Sequence, residues 1–357
     1  MNIMFYRYGS ICEPDMISAF REYGIQVYES DAEITNKNIL PAQRVDTLSK
    51  ALFERNYSFV FSINFFPDIS EVCNIFHIPY MCLIVDSPVL ELYSNSLANP
   101  CNRVFLFDKE LYREFHPVNP DCIFHIPLAT NVAAWDKVIN SAKGNEFRSD
   151  IAFVGSLYSE KCPFDNIHIS SLYNKGFIDG LIEAQLKIYG YFFVEEILND
   201  SIVEDIMNDY PGFYRFMPNS RENYKAVLAQ LYIGTKITCE ERIRLFTRLS
   251  DRFDVDIYTA SDTSSMPHIH NRGLAKTLTE MPLIFNQAAI NINPTAKSIR
   301  SGLPLRIFSH KNTDLQSLDF WSNFLGPVYS RMRRFYAYQL SAGAPRIFYY
   351  RRTFGHI

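Results

Sequence analysis

Nowhere in the 357 residues do about 18 apolar residues run together, and the opening MNIMFYRYGSI has no basic stretch ahead of an apolar one. The sequence therefore predicts neither a membrane span nor a secretory leader, and a cytoplasmic protein is expected. An excess of one charge is also missing: 35 Lys and Arg stand against 39 Asp and Glu, for a formal net charge of −4. Such a balance gives no broad field for nucleic acid or an anionic membrane surface, so any phosphate binding has to be local. The seven cysteines (Cys12, Cys73, Cys82, Cys101, Cys122, Cys162 and Cys239) are odd in number, scattered and without a C-x-x-C, which points to reduced core residues. There is no G-x-G-x-x-G, no Walker sequence and no G-x-S-x-G. Internal repeats and low-complexity tracts are absent too.

What is present is ample hydrophobic content, 47%, in a chain longer than one core usually supports, so two domains are expected. Strands are predicted at 2–8, 25–29, 59–64, 80–85, 103–107 and 122–126. Helices are predicted between them at 15–23, 42–55, 68–76 and 109–115. Strands apolar on both faces that alternate with helices specify an α/β fold with a parallel, doubly wound sheet. This first Rossmann-like domain is expected to span 1–130. Residues 131–149, with Lys143, Gly144 and Asn145, read as a linker. A second α/β domain is expected over 150–308, with strands at 151–154, 254–259 and 289–293. It carries a mostly helical stretch over 170–249, interrupted at Pro211 and Gly212; 281–287 fits either helix or strand.

The second domain is organised around Asn286 to Phe308, NQAAININPTAKSIRSGLPLRIF. An apolar strand runs into Pro294, which cannot continue a ladder and so marks the strand's carboxyl end, the end at which open α/β sheets bind ligands. Beyond it, Thr295, Ser298 and Ser301 offer neutral donors, and Lys297, Arg300 and Arg306 offer charge to a diphosphate. A solvated turn with ordinary surface arginines fits the same residues. Gly155 and Ser156 follow the strand at 151–154, where a small residue lets backbone donors approach a phosphate; a plain turn is the alternative. Thr259 and Ser261 end the strand between and would line the same crevice or act as caps.

In the first domain, Asp86 ends an apolar strand ahead of Ser87 and Pro88. It is a candidate general base for a hydroxyl nucleophile, or else a helix cap. Asp108 reads as the N-cap of the helix at 109–115, and Asn102 as either structural or acceptor-side. Metal binding is not expected. Asp254-Val255-Asp256 has D-x-D spacing but enters a strand, and His268-Ile269-His270 has no carboxylate or Cys at ligand spacing.

Five motifs in order, INFFPDISEVCN at 63–74, IPYMCLIVDSP at 78–88, CNRVFLFD at 101–108, IAFVGSLY at 151–158 and INPTAKSIRSGLPLRIF at 292–308, resemble the spore-maturation-type (CgeB-like) glycosyltransferase family. The resemblance implies two Rossmann-like domains facing a cleft, the glycosyltransferase B fold. It further implies a nucleotide-sugar donor held by the second domain, a glycan or other hydroxyl acceptor held by the first, and no metal cofactor. After Phe308 the resemblance stops: Ser309 stands where that family carries Asp, and SRMRRFYAYQLSAGAPRIFYYRRTFGHI is basic and aromatic. Back-translated with chosen codons and read one nucleotide later, this tail gives a string like the family's next segment, which suggests a frameshift. The second domain is then expected to be incomplete with one sheet edge open, residues 309–357 poorly ordered, and transfer impaired. A non-catalytic relic of such an enzyme and a two-domain small-molecule sensor are the alternatives.

Overall fold

The computed structural model describes residues 1–302 and the strand Ile347–Tyr350. Two compact units emerge. The first comprises Met1–Leu128 together with a returning segment, Arg215–Asn223; the rest of the chain belongs to the second.

In the first unit, β1 (Asn2–Tyr6), β2 (Gln26–Ser30), β3 (Phe59–Ile63), β4 (Tyr80–Ile84), β5 (Asn102–Leu106) and β6 (Ile123–His125) form one sheet in the order β2-β1-β3-β4-β5-β6. Every pairing is parallel. The sheet is parallel because its strands bury both faces. Ile3, Phe5, Phe61 and Ile63 pack with Ile17 of the helix Glu13–Glu22, while Met4, Tyr6 and Val60, which point the other way, are buried as well. The order reverses between β1 and β3, which makes that pair the topological switch point. The returning segment pairs Ser220 with Ser94, and Arg221 donates to the carbonyl oxygens of Tyr93 (2.8 Å, backbone) and Leu92 (3.2 Å).

The second unit has β7 (Ile151–Val154), β8 (Val255–Tyr258), β9 (His270–Asn271), β10 (Ile290–Asn293) and β11 (Ile347–Tyr350) in the order β11-β10-β7-β8-β9. All pairings are parallel except β10 with β11. Phe153, Ile257 and Ile292 meet Phe246 on one face. Ala152, Val154 and Tyr258 meet Phe285 and Trp135 on the other. Residues 281–287 are helical, Met281–Gln287.

Two expectations differ from the structure. The stretch read as a linker contains the helix Val132–Ser141, whose Trp135 is buried and stacks on Phe285 at 6.2 Å, so these residues belong to the second core. Its polar composition hides two aromatic anchors, Trp135 and Phe147, the latter with its ring 6.2 Å from that of Tyr258. The edge of β10, expected to be open, is paired with β11, from Ile290 with Tyr350 to Asn293 with Ile347. A ladder is made of main-chain groups, so the unusual composition of that segment does not prevent it. The remainder of the tail, and Arg306, lie outside the described residues.

Candidate functional site

The strand order β10-β7-β8 brings three carboxyl ends side by side in the second unit. Gly155 follows β7 with φ 150°, a conformation that only glycine adopts readily, and its N–H donates to the Tyr258 carbonyl at 3.0 Å. Ser156 Oγ accepts from the Tyr158 N–H at 2.7 Å and donates to Glu160 Oε1 at 2.7 Å. Ser261 Oγ accepts from the Leu157 N–H (2.8 Å) and from Thr259 Oγ1 (3.0 Å), and donates to Glu160 Oε2. Thr259 and Ser261 are buried. The hydroxyls expected to face a phosphate are therefore tied to one another and to a carboxylate. Burial by itself would raise the Glu160 carboxyl, but the bonds from Ser261 and Ser156 outweigh it and hold the group below its ordinary value.

After β10, Asn293 Nδ2 donates to Thr295 Oγ1 at 3.1 Å, and Thr295, Lys297 and Ser298 are all buried. Two side chains of the helix Gly234–Ser250 brace this loop. Arg242, 2% exposed, donates to the Pro294 carbonyl from Nε (3.2 Å) and Nη2 (2.6 Å), and from Nη1 to the Ser156 carbonyl. Its guanidinium lies 4.9 Å from the Tyr158 ring centroid. One arginine thus joins the loop after β7 to the loop after β10. The neighbouring Glu241 pairs with Lys297 Nζ at 3.0 Å, both side chains being nearly buried. The Lys297 N–H reaches Thr238 Oγ1 at 3.1 Å. The charge that Lys297 was expected to lend to a diphosphate is met by Glu241. Ser298 is buried and Arg300 is half-buried in the same loop.

The stretch preceding this helix, Val227–Ile233, is wound as a π-helix, with the Gly234 N–H bonded back to the Ala229 carbonyl, and the loop approaches at Gly234, where a Cβ would lie 3.9 Å from Lys297 Cβ. Sequence reasoning missed Arg242 and Glu241, although a signal existed. Gly234, Ile237, Thr238, Glu241 and Arg242 recur at i, i+3, i+4, i+7 and i+8 and are all buried, so two charges lie on the core-facing stripe. Buried charges are held by partners, and here these are backbone carbonyls and Lys297.

In the first unit, Asp86 follows β4 at the carboxyl edge and is exposed. It does not cap a helix: the turn Leu90–Tyr93 has Val89 at its N-cap. Asn64, just past β3 with φ 58°, donates from Nδ2 to Asp86 Oδ2 (2.7 Å) and to Tyr8 Oη (2.9 Å), and accepts from the Val85 N–H at 3.1 Å. Burial, with the charges of Asp86 and Glu13 overcoming the opposing bond from Ser10, pushes the Tyr8 hydroxyl up to about 12, so it keeps its proton at neutral pH. Burial likewise pushes the nearby Cys12 thiol up to about 11, which leaves it un-ionised. Asn102 lies at the other end, where β5 begins. It is fully buried, donates to the carbonyls of Ser96 (2.8 Å) and Leu97 (3.1 Å) and accepts from Ser70 Oγ (2.7 Å). Its side chain holds a loop. Asp108 caps the helix Lys109–Phe115 through the N–H groups of Glu110 and Leu111.

No family model matches the chain, and no curated protein matches it. Solved structures similar to it include Anabaena Alr3699/HepE in complex with UDP and glucose, at 9% identity over 81% of this chain and 72% of that one, TM-score 0.29. Another is apo UGT2 of Phytolacca americana, at 9% identity over 96% and 94%, TM-score 0.26. With likenesses this low, the assignment of two Rossmann-like α/β units rests on strand order and parallel pairing. The spore-maturation-type family itself finds no support in these comparisons.

Among the described residues one cluster has metal-ligand character. Parallel pairing of Asp256 with His270 brings His270 Nδ1 to 2.9 Å from Asp254 and 3.4 Å from Asp256. His270, expected to lack a carboxylate neighbour, has two, because β9 joins the sheet beside β8. The buried Asp256 also binds Arg272 Nε at 2.9 Å, so a cation already faces it.

Proposed function

We propose that the chain is a glycosyltransferase that moves a sugar from a nucleotide-diphosphate donor to an acceptor hydroxyl. The observation that supports this most is the Arg242 brace, which fixes the Gly155-Ser156 turn and the 294–301 loop together at the carboxyl edge of the second sheet. In this reading Gly155, Ser156, Thr259, Ser298, Arg300 and Arg306 form the donor side. Backbone N–H groups and the arginines take up the charge that develops on the departing diphosphate, without a metal. The acceptor belongs to the first unit, where Asp86 takes the hydroxyl proton as the oxygen attacks the anomeric carbon and the bond to the diphosphate breaks. Asn64 aims that carboxylate.

A second reading, a non-catalytic relic, is favoured by Glu160, which engages the hydroxyls of Ser156 and Ser261 and sets a negative charge beside the same turn. Isothermal titration with a panel of nucleotide sugars decides between them. Binding accompanied by slow donor hydrolysis supports the transferase; absence of binding supports the relic. Arg306→Ala should weaken donor binding by about 1.5 to 3 kcal/mol, the loss of one charge-assisted hydrogen bond. Unchanged affinity would remove Arg306 from the donor side.

A further inference from the structure

The loop after β1 carries the geometry of an anion cradle, and the chain fills it itself. The backbone N–H groups of Tyr8, Gly9 and Ser10 converge on Glu13 Oε1 at 2.9, 2.9 and 3.0 Å. Gly9 has φ 96°, the left-handed region that makes the loop concave. The Glu13 side chain is completely buried, and its other oxygen, Oε2, accepts from Arg7 Nε at 3.2 Å. In doubly wound sheets this loop, beside the switch point, is where a ligand's phosphate meets backbone donors. Here a carboxylate of the protein stands in that place.

The cations around it are committed as well. Arg7 pairs with Glu13, Glu29 and Asp31. Arg44 pairs with Glu33 and Asp68 and donates to Tyr6 Oη at 2.9 Å. Lys37 Nζ donates to the Tyr8 carbonyl. Six carboxylates, Glu13, Glu29, Asp31, Glu33, Asp68 and Asp86, therefore share this edge with Arg7, Arg44, Lys37 and Arg21, the last bound to Glu29. A phosphate entering here would meet net negative charge and donors already in use.

We propose that Glu13 closes the first unit to phosphate, so that this edge selects an uncharged hydroxylic ligand, which meets Asp86, Asn64 and Tyr8. That this ligand is the sugar acceptor rests on the transferase reading. The closure of the loop does not, and it can be tested without turnover.

Protein labelled with 15N-glycine is titrated with inorganic phosphate while the Gly9 amide resonance is followed, its assignment given by its loss in Gly9→Asn. In the native protein the resonance should stay in place. In Glu13→Ala it should shift and saturate as phosphate takes the vacated position. Because a buried group is removed, Glu13→Ser, whose side chain is too short to reach the three N–H groups but keeps a polar atom at the helix start, is titrated in parallel and should respond in the same sense. A Gly9 shift in the native protein overturns the closure. Variants that fold but show no shift overturn the assignment of Glu13 as the excluding group. Sugar transfer is not read in any arm, so failure of the transferase reading would leave these results standing, and the reverse also holds.

Discussion

Arg242 and Pro294 lie 52 positions apart, yet one carbonyl oxygen of the proline accepts from two nitrogens of the arginine, at 3.2 and 2.6 Å. The contact anchors the loop after β10 at its first residue, and the third nitrogen anchors the loop after β7. Arg242→Lys keeps the charge but cannot reach both loops from one planar group. It should lower the stability of the second unit by about 1 to 3 kcal/mol, the cost of stranding buried acceptors. Urea denaturation checks this, and an unshifted midpoint would show that the brace is dispensable.

Asp86→Asn should leave donor affinity unchanged, since Asp86 belongs to the first unit, while sugar transfer falls by about 10²-fold or more, as loss of a general base implies. Equal transfer rates would leave Asp86 only as the partner of Asn64.

Glu160 gives a pH dependence whose sign follows from its partners. Its folded-state carboxyl is held below the ordinary value of 4.5, burial being outweighed by the bonds from Ser261 and Ser156. A depressed acid stabilises the fold above its unfolded value, and that stabilisation is lost as pH falls through the folded one. Glu160→Gln should therefore melt lower than the native protein at neutral pH, with the gap closing on acidification below pH 4.5. A gap that stays constant with pH would mean that these hydrogen bonds do not depend on the charge.

Gly234→Ala is ordinarily stabilising in a helix by about 1 kcal/mol. Here the added methyl would lie 3.0 Å from the Ala229 carbonyl oxygen and 3.9 Å from Lys297 Cβ. Crowding against backbone should reverse the sign, giving a loss of about 1 to 3 kcal/mol in calorimetric melting. A gain would show that the helix relaxes at no cost.

The sheets were legible because their strands are buried on both faces, so Ile151–Val154 reads as an unbroken apolar run and Phe59–Ile63 as one interrupted only by Ser62. β9 was not: two exposed residues carry no periodicity, and only pairing with β8 makes them a strand. Asp86 could be found because a carboxylate at a strand end is a local signal. Asn64, which orients it, depends on a left-handed backbone that no neighbouring residue announces. Glu13 has no distinguishing signal in sequence, because acidic residues favour any helix N-terminus, and only the course of residues 8–10 makes it the occupant of a cradle. The place of Arg242 on a core-facing stripe was readable, but its partners were not, since carbonyl acceptors are available from every residue type and leave no trace in sequence.

The π-wound stretch before Gly234 also gives the helix slack in its register. A π-turn holds about one residue more than an α-turn, so losing a single residue between Val227 and Ile233 restores ordinary winding and leaves Glu241 and Arg242 directed at Lys297 and Pro294. The same loss between Gly234 and Glu241, where the helix is α-wound, swings both side chains about 100° away without either having been changed. Length is thus constrained more tightly after the wide turn than within it.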